Sequence, residues 1–212
     1  RMKGANSYLY ISDSGDVSMI DTGIPGNLKI FMRELLRYDI SPERISYIIL
    51  THSDIDHAGS AAEISGATGA RIATHISECS YLNGERRKIH HGFFPVMLSY
   101  LSGLIPMEKA IPAIKLNDGD VIGGLHVIHC PGHTAGSIAL YSRGHSIFSG
   151  DTLCTDRHGK IKGFSPRFTE DSAGADESMR RLSSLNFDTL LPGHGRCVVG
   201  NASSHVRAFL GV

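Results

Sequence analysis

The stretch Thr51-His52-Ser53-Asp54-Ile55-Asp56-His57, entered from the apolar run Ile48-Ile49-Leu50, constrains this chain more than any other. It sets two imidazoles and two carboxylates at the end of what reads as a buried strand. Groups held this close repel one another or lose hydration unless a cation or solvent compensates them. A cation is the more economical compensation. His52, Asp54, Asp56 and His57 are therefore candidate metal ligands.

Composition narrows the partners. Of 212 residues, 21 are Lys or Arg and 21 are Asp or Glu, so no net charge draws in nucleic acid. The one basic cluster, Arg86-Arg87-Lys88 with His90-His91, reads as a solvated face. No apolar run reaches membrane-spanning length and no signal peptide is visible, so neither a membrane nor a nucleic acid is an expected partner. The four cysteines, Cys79, Cys130, Cys154 and Cys197, show no CxxC pairing. Reduced thiols in a cytoplasmic protein fit that spacing.

The rest of the chain alternates strand and helix patterns. Tyr8–Ser12 and Val17–Asp21 read as a hairpin through Asp13-Ser14-Gly15-Asp16. Ile30, Phe31, Leu35 and Leu36 put an apolar face on a helix over Leu28–Tyr38. Ile45–Leu50 is the buried strand, Ala58–Ser65 a helix, Arg71–Thr74 a strand and Ser77–Leu82 a short helix. A second set of strands is expected at Ala113–Leu116, Leu125–Cys130, Ser137–Tyr141, Ser146–Ser149 and Asp188–Leu191. Helices are expected at Asp171–Leu185 and Asn201–Leu210, and a polar loop over Asp156–Phe168. No linker separates the halves, so a single domain over residues 1–212 is expected. About residues 85–112 the rhythm breaks. A helical insertion is expected there, its Phe93–Met107 segment serving either as a lid over an apolar substrate or as the contact of a homodimer.

Three more polar groups follow predicted strand ends: His133 after Pro131-Gly132, Asp151 after Gly150, and His194 after Pro192-Gly193. Each alone reads as a turn or cap residue. Seven imidazoles and carboxylates, all at strand ends, do not, because strand-terminal loops are where folds build sites.

Five elements in this order resemble the metallo-β-lactamase fold superfamily over essentially the whole length. They are Asn6-Ser7-Tyr8 with Ile20-Asp21-Thr22-Gly23, the His52–His57 motif, Pro131-Gly132-His133-Thr134, Gly150-Asp151-Thr152 and Pro192-Gly193-His194-Gly195. The resemblance implies an α/β fold, an αββα four-layer sandwich with two divalent metal ions at one edge. It implies that His52, Asp54 and His133 hold one ion, that Asp56, His57 and His194 hold the other, and that Asp151 bridges them. The superfamily's common motif is His-x-His-x-Asp-His, and here Asp54 stands at the second histidine. An anionic oxygen donor lowers Lewis acidity and shifts preference toward harder ions. Zinc is expected, with iron or manganese as alternatives.

The expected activity is metal-dependent hydrolysis of an acyl ester, thioester or lactone by a metal-bound hydroxide hydrogen-bonded to Asp56. The substrate would be a small molecule, and the Phe93–Met107 segment favours an apolar acyl part. Thr51, Thr134, Asp21 and Ser137 are expected to orient ligands, and Cys130 and Cys154 to be structural thiols. Small glyoxalase II-like and lactonase-like members are similar. After Pro-Gly-His-Thr, however, Ala135-Gly136-Ser137 replaces the usual Gly-His, which weighs against glutathione thioesters. Two alternatives stand beside this reading. One is a di-iron redox protein working with a separate flavoprotein, as in the flavodiiron branch, whose flavodoxin domain is not seen here. The other is a non-enzymatic metal-binding module.

Overall fold

Two apolar runs, Tyr8–Ile11 (β1) and Val17–Ile20 (β2), pair antiparallel in a computed structural model that describes residues 2–86 and 107–212. The chain divides into two units, Arg1–Lys115 and Leu116–Val212, each with its own apolar core. Helical insertion at about 85–112, with its Phe93–Met107 segment, falls largely outside the described residues.

In the first unit β2 continues into a parallel arrangement with Ile45–Ile49 (β3), and β3 with Arg71–His75 (β4). Ile114–Leu116 (β5) completes the five-stranded order β1-β2-β3-β4-β5. The shared direction of β2, β3 and β4 has one consequence for function. The residues just after their C-terminal ends, Asp21, the His52 motif and the turn holding Glu78, all emerge at one edge of this sheet. Helix α1 (Leu28–Arg37) buries Phe31 and Leu35 against Val17, Ile45, Ile48 and Ile64. Leu36, expected on that face, is 81% exposed. A 3.6-residue period spaces the buried positions four apart, and Leu36 falls one residue past the stripe.

The helix expected at Ala58–Ser65 is two helices, α2 (Ile55–Ala58) and α3 (Ala61–Thr68). The break has a local cause. Gly59 N–H donates to the Gly23 carbonyl at 2.8 Å instead of propagating the helix, and Ala58 bridges Gly23. A 3₁₀ turn at Ile76–Glu78 then leads into α4 (Cys79–Leu82).

The second unit carries Val121–Ile122 (β6), Leu125–His129 (β7), Ile138–Ser142 (β8), Ser146–Gly150 (β9), Thr189–Pro192 (β12) and Val198–Val199 (β13). Their order is β13-β12-β9-β8-β7-β6. β7 and β9 are each antiparallel to β8, and β12 is parallel to β9, so β7, β9 and β12 run the same way. His133, Asp151 and His194 follow those three strands and therefore leave this sheet at one edge. Helix α5 (Ser172–Ser183) is capped by the Asp171 side chain accepting from Ala173 N, and α6 (Ala202–Leu210) packs Ala202 and Val206 into the same core. The polar loop expected over Asp156–Phe168 is instead partly ordered. Cys154–Thr155 (β10) pairs antiparallel with Ile161–Gly163 (β11), and Asp156 holds the turn by accepting from His158 N and Lys160 N. β6 and β13 were too short to show a period.

Leu35→Ala should cost about 3 kcal/mol through lost transfer energy and a residual cavity. Leu36→Ala should lie within about 0.5 kcal/mol of the parent. Urea unfolding of the two variants checks the assignment of the buried stripe.

Candidate metal centre

Asp21 organises the candidate ligands of the first unit. Its backbone lies in the left-handed region at φ 54, a conformation that aspartate tolerates better than most residues. Its carboxylate is buried, and one oxygen accepts from Thr51 N at 2.8 Å. The other accepts from Thr51 Oγ1 at 2.8 Å and from His57 Nδ1 at 2.8 Å. A carboxylate only accepts, so His57 must carry its proton on Nδ1 and its lone pair on Nε2. Thr51 Oγ1 already donates its one O–H to Asp21 and stands 3.0 Å from His52 Nδ1, so there it must accept. His52 is thereby held in the same tautomer. One carboxylate thus sets which nitrogen is left with a lone pair on two histidines whose rings tilt against each other at 4.0 Å.

Both histidines are buried, His52 at 1% and His57 at 0% exposure. Asp54 and Asp56 are less covered. His52 Nε2 lies 3.5 Å from Asp54 Oδ2, and His57 Nε2 lies 3.9 Å from Asp56 Oδ2. These distances exceed the 2.7–3.2 Å of an ordinary N–H···O bond. Two donors each about 2.1 Å from a shared ion stand roughly 3.0–3.4 Å apart, depending on coordination angle. The observed spacing is close to that of ligands around an ion.

The second unit repeats the pattern. Asp151 Oδ2 lies 3.8 Å from His133 Nε2 and 3.4 Å from His194 Nε2, a single oxygen set between two imidazoles. The loops that carry these residues are clamped by backbone bonds. Gly193 N donates to Gly150 O at 2.8 Å, tying the Asp151 loop to the His194 loop. Thr155 N donates to His194 O at 3.0 Å. Glu170 N donates to His133 O, Asp171 N to Gly132 O, and Ser178 Oγ to Pro131 O, pinning the His133 loop to the start of α5. That close approach requires glycine. Gly132 sits at φ 136, and a Cβ there would meet Ala175 N at 2.1 Å. Thr134 and Ser137, expected to orient ligands, bond to each other in this loop: Thr134 N donates to Ser137 Oγ at 3.0 Å and the two hydroxyls meet at 2.9 Å.

All seven sequence-derived candidates thus lie at strand ends. His52, Asp54, Asp56 and His57 gather in the first unit and His133, Asp151 and His194 in the second. Cys130 is a structural thiol. Burial pushes it up to about 12, far from the thiolate that a nucleophile needs at neutral pH. Two carboxylates that bond to the candidate loops escaped the sequence reading. Glu170, besides its backbone bond, accepts from Ala135 N through its carboxylate. Glu78 accepts from Ser53 inside the ligand motif. Glu78 follows a strand parallel to β3, so the strand-end rule that found the ligands would have found it too.

Asp21→Asn leaves one side-chain oxygen in place of two, so its NH2 group faces a donor either way round, Thr51 N on one side or Thr51 Oγ1 and His57 Nδ1 on the other. It should weaken metal affinity about 10–100-fold. Competition against a chromophoric chelator measures this.

A sequence profile of the Metallo-beta-lactamase superfamily matches residues 2–194. The protein named Probable metallo-hydrolase MJ0888, from Methanocaldococcus jannaschii, is 30% identical over 213 residues, spanning 97% of this chain and 95% of its own. Hydroxyacylglutathione hydrolase of Aeromonas hydrophila is 30% identical over 171 residues, which are 79% of this chain and 53% of that protein. This chain therefore spans about half of that relative's length. Among solved structures, TTHA1623 in a di-iron-bound form superposes with a TM-score of 0.72 at 24% identity, over 96% of this chain and 92% of its own, which shows a shared fold. The profile match over nearly all of the chain, with strand-end histidines and aspartates where the ligand motifs stand, places the chain in the metallo-beta-lactamase superfamily, with the α/β fold of that family.

Proposed function

We propose that the two donor sets act together in one domain, that they hold two divalent metal ions, and that the protein is a hydrolase of acyl esters, thioesters or lactones. The observation that carries this reading is the position of Asp151 Oδ2, 3.8 Å from His133 Nε2 and 3.4 Å from His194 Nε2. One oxygen at ligand spacing from two imidazoles suits a bridging carboxylate better than it suits a pair of hydrogen bonds. His52, Asp54 and His133 would hold one ion, and Asp56, His57 and His194 the other. The donor chemistry fits: buried imidazoles with Nε2 lone pairs, and carboxylates beside them. When bound, the ions lower the pKa of water and polarise the acyl oxygen.

The protein's own groups supply the rest. Asp56 stands in the first turn of α2, its backbone carbonyl accepting from Ala5 N at 3.0 Å, with the side chain about one-third exposed. It accepts a proton from the attacking water, aims the water's lone pair at the acyl carbon, and returns the proton to the departing alkoxide or thiolate. His57 and His52 keep their tautomers through Asp21 and Thr51, so no reorientation is needed during turnover. His194, at 43% side-chain exposure, lies where substrate can approach. The name of the Aeromonas hydrophila relative supports acyl-thiol hydrolysis as one candidate chemistry.

Zinc is the proposed metal. Asp54 adds one anionic oxygen where the common motif has a nitrogen, and this favours iron or manganese more than a histidine would. The same residue is the one observation favouring a second reading, a di-iron redox protein that takes electrons from a separate flavoprotein.

Zinc-loaded protein should hydrolyse an aryl ester, a thioester or a lactone, lose that activity on chelation and regain it on readdition. Asp56→Asn should lower kcat at least about 100-fold. Undiminished turnover after complete metal removal would contradict the proposal.

A further inference from the structure

We propose that Glu78 is a positioning residue for the His52–Asp54 pair, holding the intervening Ser53 so that both side chains are presented to one ion. The inference rests on the metal-site reading above. Ser53 lies between the two ligands, and both its polar groups go to one atom: Ser53 N donates to Glu78 Oε2 at 2.9 Å, and Ser53 Oγ donates to the same oxygen. Glu78 is fully buried, a costly place for a carboxylate unless hydrogen bonds compensate it. It is also held firmly. It closes the 3₁₀ turn that follows β4, where Ser77 N donates to His75 Nδ1 at 3.3 Å and Cys79 Sγ to His75 O at 3.7 Å.

The motif is thus tied at three points. Asp21 holds Thr51 before it, through Thr51 N and Oγ1. Asp54 O accepts from His57 N at 2.9 Å and from Ala58 N at 2.8 Å after it. Glu78 holds the middle. Asp54 itself has extended backbone, φ −66 and ψ 145, so its side-chain direction depends on the peptide that Ser53 anchors. An aspartate reaches less far than the imidazole common at this position, so a backbone drift that a histidine absorbs takes Asp54 away from the ion. Glu78 matters here because the ligand is short.

The experiment uses purified full-length protein and zinc itself. Glu78→Leu removes the acceptor at similar volume, while Glu78→Gln keeps a carbonyl oxygen for Ser53. Glu78→Leu should bind zinc about 10–100-fold more weakly, with Glu78→Gln restoring affinity to within about threefold of the parent. The visible spectrum of the cobalt-substituted protein should change in Glu78→Leu and return in Glu78→Gln. A purely structural role would instead lower the melting temperature of the metal-free protein while leaving the affinity and the cobalt spectrum of the folded form unchanged, and that result overturns the proposal. Ser53→Ala, which deletes only one hydroxyl, covers the case in which Glu78→Leu does not fold: an affinity loss of about threefold or more supports the proposal, and unchanged affinity overturns it. A parent protein that binds no zinc, cobalt, iron or manganese overturns the metal-site reading and this inference with it. Tight metal binding by the parent, unaltered in Glu78→Leu, overturns this inference alone.

Discussion

The buried carboxylate of Asp21 is the interaction on which the paired histidines of the first unit depend. It ties the end of β2 to the end of β3, and in doing so assigns a proton to Nδ1 of His57 and, through Thr51, to Nδ1 of His52. The arrangement is held at some backbone strain, since Asp21 is one of three non-glycine residues with positive φ among those described. Strain of this kind persists only where the surroundings over-determine it. Here a parallel strand pair and three hydrogen bonds do so.

Strand direction supplies the rest of the order. Parallel pairing of β2, β3 and β4 puts Asp21, the His52 motif and Glu78 at one sheet edge. The common direction of β7, β9 and β12 does the same for His133, Asp151 and His194. Each unit therefore concentrates imidazoles and carboxylates that are otherwise far apart in the chain. The loops that follow these strands are bonded to their neighbours through main-chain groups, among them Gly193 N to Gly150 O and Glu170 N to His133 O.

The candidate residues were legible because they are chemically distinctive and follow apolar runs. His52, Asp54, Asp56 and His57 sit within one short motif, while His133, Asp151 and His194 are marked by glycines and strand ends. Helix α1 was legible from its period, apart from Leu36, which the eye groups with Leu35 although it points to solvent. The split of α2 from α3 was not legible, because its cause is a hydrogen bond from Gly59 to Gly23, 36 positions back. The β10–β11 hairpin hid for a similar reason: its strands are two and three residues long, below the length at which alternation is visible. Glu78 follows a strand end as the other candidates do, but it stands in what reads as an ordinary short helix and its partner Ser53 is 25 positions away.

In the proposed centre Asp54 would carry the distinctive chemistry, an anionic oxygen in place of a neutral nitrogen at a position supported from both sides. The central proposal is that the two donor sets hold two ions. The most direct measurement is anomalous diffraction from crystals of the metal-loaded protein, collected on either side of the metal's absorption edge. Two peaks per chain are predicted, one against His52, Asp54 and His133 and one against Asp56, His57 and His194, with Asp151 reaching both. A single peak, or peaks away from these residues, would contradict it.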